Sequence, residues 1–146
     1  MGEVRASVVL ENADDRGLAR RGVIQPEDVR RVEADVLVDT GAVLVLLPQD
    51  MVETLGLDQI DKAVVTLAND QVTLANDQNV EMPRAGPLGV TALGRIMHTD
   101  CLVGPPGCEA LLGQLVLEGL DLIIDPAKRQ ITVRPESPFL PSYKAK

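Results

Sequence analysis

Aromatic side chains are nearly absent from this sequence of 146 residues, which contains one tyrosine, one phenylalanine and no tryptophan. Both aromatic residues, Phe139 and Tyr143, lie close to the C-terminal end. Proteins that bind single-stranded nucleic acids stack bases on aromatic rings, so the body of this chain is poorly suited to that role. The formal net charge of −8 repels a polyanion, and the lysines and arginines are scattered. We therefore expect no nucleic-acid partner.

Histidine and cysteine are also scarce, since the sequence has only His98, Cys101 and Cys108. Three soft ligands do not complete a four-ligand zinc site, and we expect neither a metal nor a cofactor. Catalysis by Ser-His or Cys-His would depend on His98 alone, and no glycine-flanked serine accompanies it. Free thiols are favoured for the two cysteines, although they flank a GPPG turn and a disulfide stays open.

Long apolar runs are missing as well. No run approaches the roughly 18 residues that a membrane helix needs, and the N-terminal residues carry acids without an apolar signal core. We therefore expect a cytoplasmic protein with no membrane partner.

The apolar pattern that is present predicts an all-β domain. Apolar residues alternate with other residues over 4–10 and over 32–38, as in strands with one buried face. Pro48 and Gly56 bound a short predicted helix, whereas residues 11–31 are polar and predict a long exposed connection. Short strand-like segments with turns between them then indicate a barrel or a sandwich. We expect one domain over 1–134 and a proline-containing arm over 135–146, because prolines cannot pair in a central strand.

The segment with the clearest chemical meaning is Asp39-Thr40-Gly41-Ala42, which follows the apolar strand ending at Val38. An aspartate at the end of a buried strand is presented by the turn, and a glycine there lets another chain approach closely. An Asx turn, in which Asp39 only caps its own loop, explains the tripeptide equally well.

A second motif favours a catalytic role for Asp39, because the two motifs together resemble a known family. The order of Leu37–Ala42, a hairpin region at 64–83 and Leu111-Leu112-Gly113 resembles the retropepsin-like aspartic peptidases. The resemblance implies an acid-protease closed barrel with one or two short helices and one lobe per chain. It implies that Asp39 is catalytic and that Thr40, Gly41 and Ala42 support its loop. It also implies tentative substrate contacts in the flap and pocket, at Ala68, Asn69, Asp70, Asn76, Asp77, Val103, Leu111, Leu112 and Gly113.

The chemistry of aspartic peptidases requires two carboxylates that share a proton. This chain has one Asp-Thr-Gly motif, so the second Asp39 must come from a second copy in a homodimer. The sequence thus predicts an aspartic endopeptidase that hydrolyses a peptide or protein substrate. Two alternatives remain, which are a non-catalytic peptide-binding or protein-interaction domain on the same fold and a purely structural β domain.

A tandem repeat departs from the family, because VTLANDQ occurs at 65–71 and again at 72–78. Side chains alternate along a strand with period two, so an odd repeat would place identical residues on opposite faces. We therefore expect the chain to fold back at Asn69-Asp70, Asn76-Asp77 or both, in a longer flap. A tolerated duplication in a loop is the other interpretation.

Overall fold

The computed structural model of the chain describes residues 2–67 and 78–145. No helix in these ranges is long and apolar enough to cross a membrane. The described residues form three α-helices and nine strands. The helices are α1 (Ala13–Arg20), α2 (Gln49–Leu55) and α3 (Gln114–Leu120). The strands are β1 (Arg5–Asn12), β2 (Arg31–Val38), β3 (Val45–Pro48), β4 (Asp58–Leu67), β5 (Gln78–Ala92), β6 (Arg95–Gly104), β7 (Leu111–Leu112), β8 (Leu122–Asp125) and β9 (Gln130–Val133).

Six of these strands close into a barrel. The order in the main sheet is β1-β2-β7-β3-β6-β5-β4, and β1 also pairs with β5, so β4 projects from the closed ring. The alternating apolar residues of β1 and β2 point inward, where Leu10 meets buried residues such as Leu47 and Leu88, all fully buried. The all-β class and the closed barrel expected from the sequence are confirmed. Strands β8 and β9 form a separate two-stranded sheet.

The prediction that residues 11–31 are an exposed connection is wrong for residues 11–19, which are mostly buried or partly buried, and right for residues 20–28, which are mostly exposed. Residues 11–31 contain α1 and a short 3₁₀ helix at Pro26–Asp28, so the chain has one more helix than the one or two expected. The side chain of Asn12 accepts a hydrogen bond from the Asp15 amide, which caps α1. Asp15 is itself buried and accepts hydrogen bonds from Arg30. Asn12 and Asp15 can be buried because each has hydrogen-bond partners, which a hydrophobicity pattern does not reveal.

The other two helices begin and end where local residues require it. Pro48 precedes α2, and Gly56 ends it with a left-handed φ of 65°. The short helix between these residues is therefore confirmed. Helix α3 ends in the same conformation at Asp121, which is not a glycine and has a φ of 55°.

The described parts of the hairpin region expected at 64–83 belong to β4 and β5, which pair with each other. Their register runs from Asp58 opposite Gly86 to Leu67 opposite Gln78. The two strands are therefore longer than the separate segments that the sequence indicated. The predicted fold-back points at Asn69-Asp70 and Asn76-Asp77, together with Ala68, lie outside the described residues.

The segment after β9 is tied to the body through Asp121. Its carboxylate accepts hydrogen bonds from the Arg134 guanidinium, the Ser137 hydroxyl and the Ser142 amide. The buried guanidinium of Arg95 donates to the backbone oxygens of Leu120, Asp121 and Ser137. This cluster joins the start of β6, the end of α3 and the C-terminal segment.

We expect Asp121→Asn to lower the melting temperature by several degrees at neutral pH. Arg134, Ser137 and the Ser142 amide hold the pKa of Asp121 well below its usual range. A depressed pKa means that ionised Asp121 stabilises the fold above pH ~4, and that this contribution is lost as the pH falls further. The difference between wild type and variant, measured by thermal unfolding over a pH series, should therefore shrink in acid. The exposed Asp14→Asn is the control, and an equal loss there would contradict the assignment.

Candidate active site

The Asp39 loop is held by a strand that comes much later in the chain. Strand β7 lies between β2 and β3. It runs parallel to β2, with Val38 opposite Leu112. The Leu37 amide donates to Ala110 O and the Asp39 amide donates to Leu112 O, each at 3.0 Å. The loop then turns back, because the Ala42 amide donates to Asp39 O at 3.1 Å. The motif expected to be catalytic and the Leu-Leu-Gly motif are thus brought together by backbone hydrogen bonds.

The carboxylate of Asp39 is half-buried at the end of β2. Its Oδ1 accepts a hydrogen bond of 2.9 Å from the Gly41 amide. The Asx contact that the sequence allowed is therefore present, but it occupies one oxygen. Within the described part of the chain, Oδ2 accepts no hydrogen bond and the exposed Thr40 hydroxyl makes none. Among the described residues, therefore, only one of the two carboxylate oxygens has a hydrogen-bond partner.

Helix α3 supports the same loop from beneath. The Gln114 amide donates to Ala42 O at 2.8 Å, and the Leu115 amide donates to Val43 O at 3.0 Å. A Cβ on Gly113 would lie 2.6 Å from Val43 O and closer still to Leu44 O. Real Cβ atoms do not approach this closely, so a side chain at this position requires the loop to move.

An open cleft of about 540 Å³ lies between this loop and the β4–β5 hairpin. Asp39 is the one ionisable residue in its described lining, and the other side chains there are aliphatic except for Thr66. The lining consists of Asp39, Gly41, Ala42, Val43, Leu44, Leu46, Ala63, Val64, Val65, Thr66, Leu67, Met82, Leu102 and Leu111. A single carboxylate in aliphatic walls suits an extended peptide with apolar side chains.

The tentative pocket residues fall in different places. Leu111 lines the cleft, whereas Leu112 is buried in the barrel core and Gly113 lies beneath the loop. Val103 lines a second cavity, which shares Met82 with the cleft. The Leu112 and Gly113 positions support the Asp39 loop and do not face the cleft.

Sequence reasoning missed most of the hairpin side of the cleft. The five residues 63–67 and Met82 line it, yet the proposed contacts fell further along the flap. Their signal in the sequence is the run of apolar residues at 63–65, which is typical of a strand but does not indicate which side chains face the cleft. Which face of that strand covers Asp39 depends on its register with β5.

Cys101 and Cys108 are free thiols. Cys101 is fully buried in β6, and this burial raises its pKa to about 12. A thiol that stays protonated is a poor nucleophile. Within residues 2–67 and 78–145, no group of three or more His, Cys, Asp or Glu residues is placed to hold a metal ion.

The family to which this chain belongs follows from its sequence and is consistent with the fold and the Asp39 loop. The sequence model of a family described as aspartyl protease matches residues 26–116, which include the Asp39 loop, β7 and the start of α3. This match covers more than half of the chain, and the chain therefore belongs to the aspartyl protease family. The resemblance to retropepsin-like aspartic peptidases is confirmed.

A solved structure has a similar fold. It is the EIAV protease complexed with the inhibitor HBY-793, which superimposes with a TM-score of 0.50 at 21% identity. The alignment covers 82% of this chain and 88% of that one. No curated protein sequence matches this chain.

We expect Gly113→Ala to destabilise the protein by roughly 1–3 kcal/mol, as overpacking of a tight site does. The added Cβ must displace Val43 or Leu44, which adjoin the Asp39 loop. Chemical denaturation of the purified variant measures the loss. Gly17→Ala is the matched control, because its Cβ meets only arginine side chains at 3.6 Å or more. That helical change should be neutral or stabilising, and an equal loss in both variants would contradict the explanation.

Proposed function

We propose that this chain is an aspartic endopeptidase that acts as a homodimer, with Asp39 from each copy forming the catalytic dyad. One observation carries the proposal. Asp39 is the one ionisable residue in the described lining of an aliphatic cleft, and among the described residues only one of its two carboxylate oxygens accepts a hydrogen bond. The family match and the fold are consistent with this assignment.

The proposed chemistry needs both carboxylates. One ionised Asp39 takes a proton from water while the water oxygen forms a bond to the scissile carbonyl carbon. The protonated Asp39 of the other copy gives its proton to the carbonyl oxygen. When the carbon–nitrogen bond breaks, the carboxyl that took the water proton gives it to the nitrogen, and one hydroxyl of the tetrahedral intermediate returns its proton to the other carboxylate, so that the peptide leaves as an acid and an amine and the dyad again holds one proton. Thr40, Gly41 and Ala42 hold the loop, and the aliphatic walls bind side chains on either side of the cut.

The surface beside Asp39 is suited to a second copy. Thr40 is exposed at the end of the loop, Val43 is 67% exposed and Leu115 is 39% exposed. The Leu115 amide donates to Val43 O, so these two apolar side chains belong to adjacent backbone segments. A two-fold axis near Asp39 would cover this apolar surface in both copies and bring the two carboxylates together.

A non-catalytic peptide-binding domain is the competing function. It would use the same aliphatic cleft and would not require the carboxylate of Asp39 to react. The two functions differ in whether bound peptides are cut, so hydrolysis by the purified protein separates them.

We expect Asp39→Asn to reduce hydrolysis by roughly 10³-fold or more, as removal of a central catalytic group does. Purified wild type and variant should be compared on a mixed peptide library by mass spectrometry, from neutral to mildly acidic pH. Asp35→Asn is the matched control, since Asp35 is an exposed residue of the same strand that pairs with Arg5. It should retain activity. Peptides that bind without being cut by wild type would establish the competing function instead.

We also expect inactive chains to suppress active ones. If each active site uses two copies of Asp39, an equal mixture of wild type and Asp39→Asn that has exchanged subunits should keep roughly half the activity per wild-type chain, because mixed dimers are inactive. The measurement is peptide cleavage at a concentration where sedimentation shows dimers. Activity per wild-type chain that stays unchanged at every mixing ratio would refute the shared dyad.

A further inference from the structure

The β4–β5 hairpin leaves the barrel at one cross-strand position. Arg84 of β5 lies opposite both Asp61 of β4 and Leu102 of β6, so three strands are paired at this point. Beyond it, from residue 62 onward, the described residues of the hairpin pair only with one another. They also form one wall of the Asp39 cleft. The direction in which the hairpin leaves the barrel therefore sets the width of the cleft.

Backbone pairing is irregular on both sides of this position. The register between β4 and β5 shifts between Gln59 and Asp61. The register between β5 and β6 shifts between Ala85 and Leu88. Such irregularities interrupt the ladder of backbone hydrogen bonds and let strands bend. The base of the hairpin is thus held less firmly by its backbone than a regular sheet would be.

The side chain of Arg84 connects the three strands at this irregular base. Its Nε and one terminal nitrogen donate to the two carboxylate oxygens of Asp61 at 2.8 and 2.7 Å. Its other terminal nitrogen lies 3.9 Å from a carboxylate oxygen of Asp100 on β6. A side chain on Gly86 would collide with the Asp100 carboxylate, so the glycine leaves space for it. A bidentate pair within a network is the kind of surface ion pair that has a measurable effect.

Arg84 adjoins the residues that line the cleft. Residues two apart on a strand share a face, so Asp61 and Arg84 lie on the same face of the hairpin as the next pair, Ala63 and Met82. Ala63, Met82 and Leu102 all line the cleft. The ion pairs of Arg84 therefore lie between the hairpin wall of the cleft and the wall that β6 contributes.

We propose that Arg84 is a positioning residue, which fixes the direction of the hairpin over the Asp39 cleft by pairing with Asp61 and Asp100. The inference rests on the proposed function, since it concerns how that cleft binds its peptide. Without these ion pairs the hairpin leaves the barrel over a wider range of directions, so its aliphatic side chains contact the substrate less closely. The loss falls on peptide binding and leaves the chemistry at Asp39 unchanged.

Peptide cleavage measures this loss. Arg84→Gln and Asp61→Asn should each raise KM roughly two- to fivefold with kcat nearly unchanged, because binding contacts common to the ground state and the transition state are lost. The double variant should raise KM no further than Arg84→Gln alone, because both residues act through one pair. The ratio of KM between variant and wild type should shrink at high salt, which screens the pair. An unchanged KM, a fall in kcat alone or additive effects would overturn the proposal.

Arg16→Gln is the matched control. Arg16 donates to both carboxylate oxygens of Glu11 at 3.0 and 2.9 Å, so the geometry of this pair resembles that of Arg84. The pair joins α1 to β1, and neither residue belongs to the described lining of the cleft. The control should keep the wild-type KM whatever its melting temperature. An equal rise of KM in both variants would indicate a general loss of stability and would overturn the proposal.

Binding without hydrolysis separates this proposal from the proposed function. The probe is a fluorescently labelled peptide whose central residues are valine and leucine, and its anisotropy is measured with Asp39→Asn protein. Adding Arg84→Gln should raise the dissociation constant roughly two- to fivefold, and adding Arg16→Gln should not. If wild type binds the peptide without cutting it, the proposed function fails and the dissociation constants still decide the role of Arg84. Equal dissociation constants with and without Arg84→Gln, or a protein that neither binds nor cuts the peptide, would overturn the proposal.

Discussion

The position of Asp39 depends on a backbone ladder between β2 and β7, two strands that are far apart in the chain. Through this ladder the Asp39 amide is bonded to Leu112 O, and the next residues of the later segment bond to Ala42 and Val43. Gly113 permits this approach, since the backbone of Val43 and Leu44 occupies the space that a side chain would need. The carboxylate is therefore positioned by main-chain contacts, and Thr40 and Gly41 need only complete the turn. Any change that separates β2 from β7 acts directly on the proposed active site.

Two buried carboxylates stabilise parts of the fold that lie outside the apolar core. Asp15 is held by Arg30 at the start of α1, and Asp121 is held by Arg134 at the end of α3. A buried carboxylate is costly unless ion pairs and hydrogen bonds compensate it, and each of these has several donors. These partners lie on different elements, so the polar groups fasten a helix or the C-terminal segment to the barrel.

The hairpin of β4 and β5 separates two chemical environments. On the side of Asp39 its residues form aliphatic walls around a single carboxylate, and at its base the second cavity has acids at an apolar surface. Met82 belongs to both because it lies on the face that the hairpin turns toward the body. Apolar walls select side chains by size with modest discrimination.

The all-β class, the two strands that carry alternating apolar residues and the helix between Pro48 and Gly56 were predictable, because each is specified by periodicity or by residues with restricted backbone. Asp39 was identifiable because Asp-Thr-Gly-Ala and Leu-Leu-Gly occur in a recognisable order. Helix α1 was not predictable, since its cap at Asn12 and its buried Asp15 depend on contacts with Arg30. The roles of Leu112, Gly113 and Val103 were also decided only in three dimensions. Local sequence determines which residues can form a strand or a turn, but the register between distant strands determines which side chains meet, and that register is set by the packing of the whole barrel.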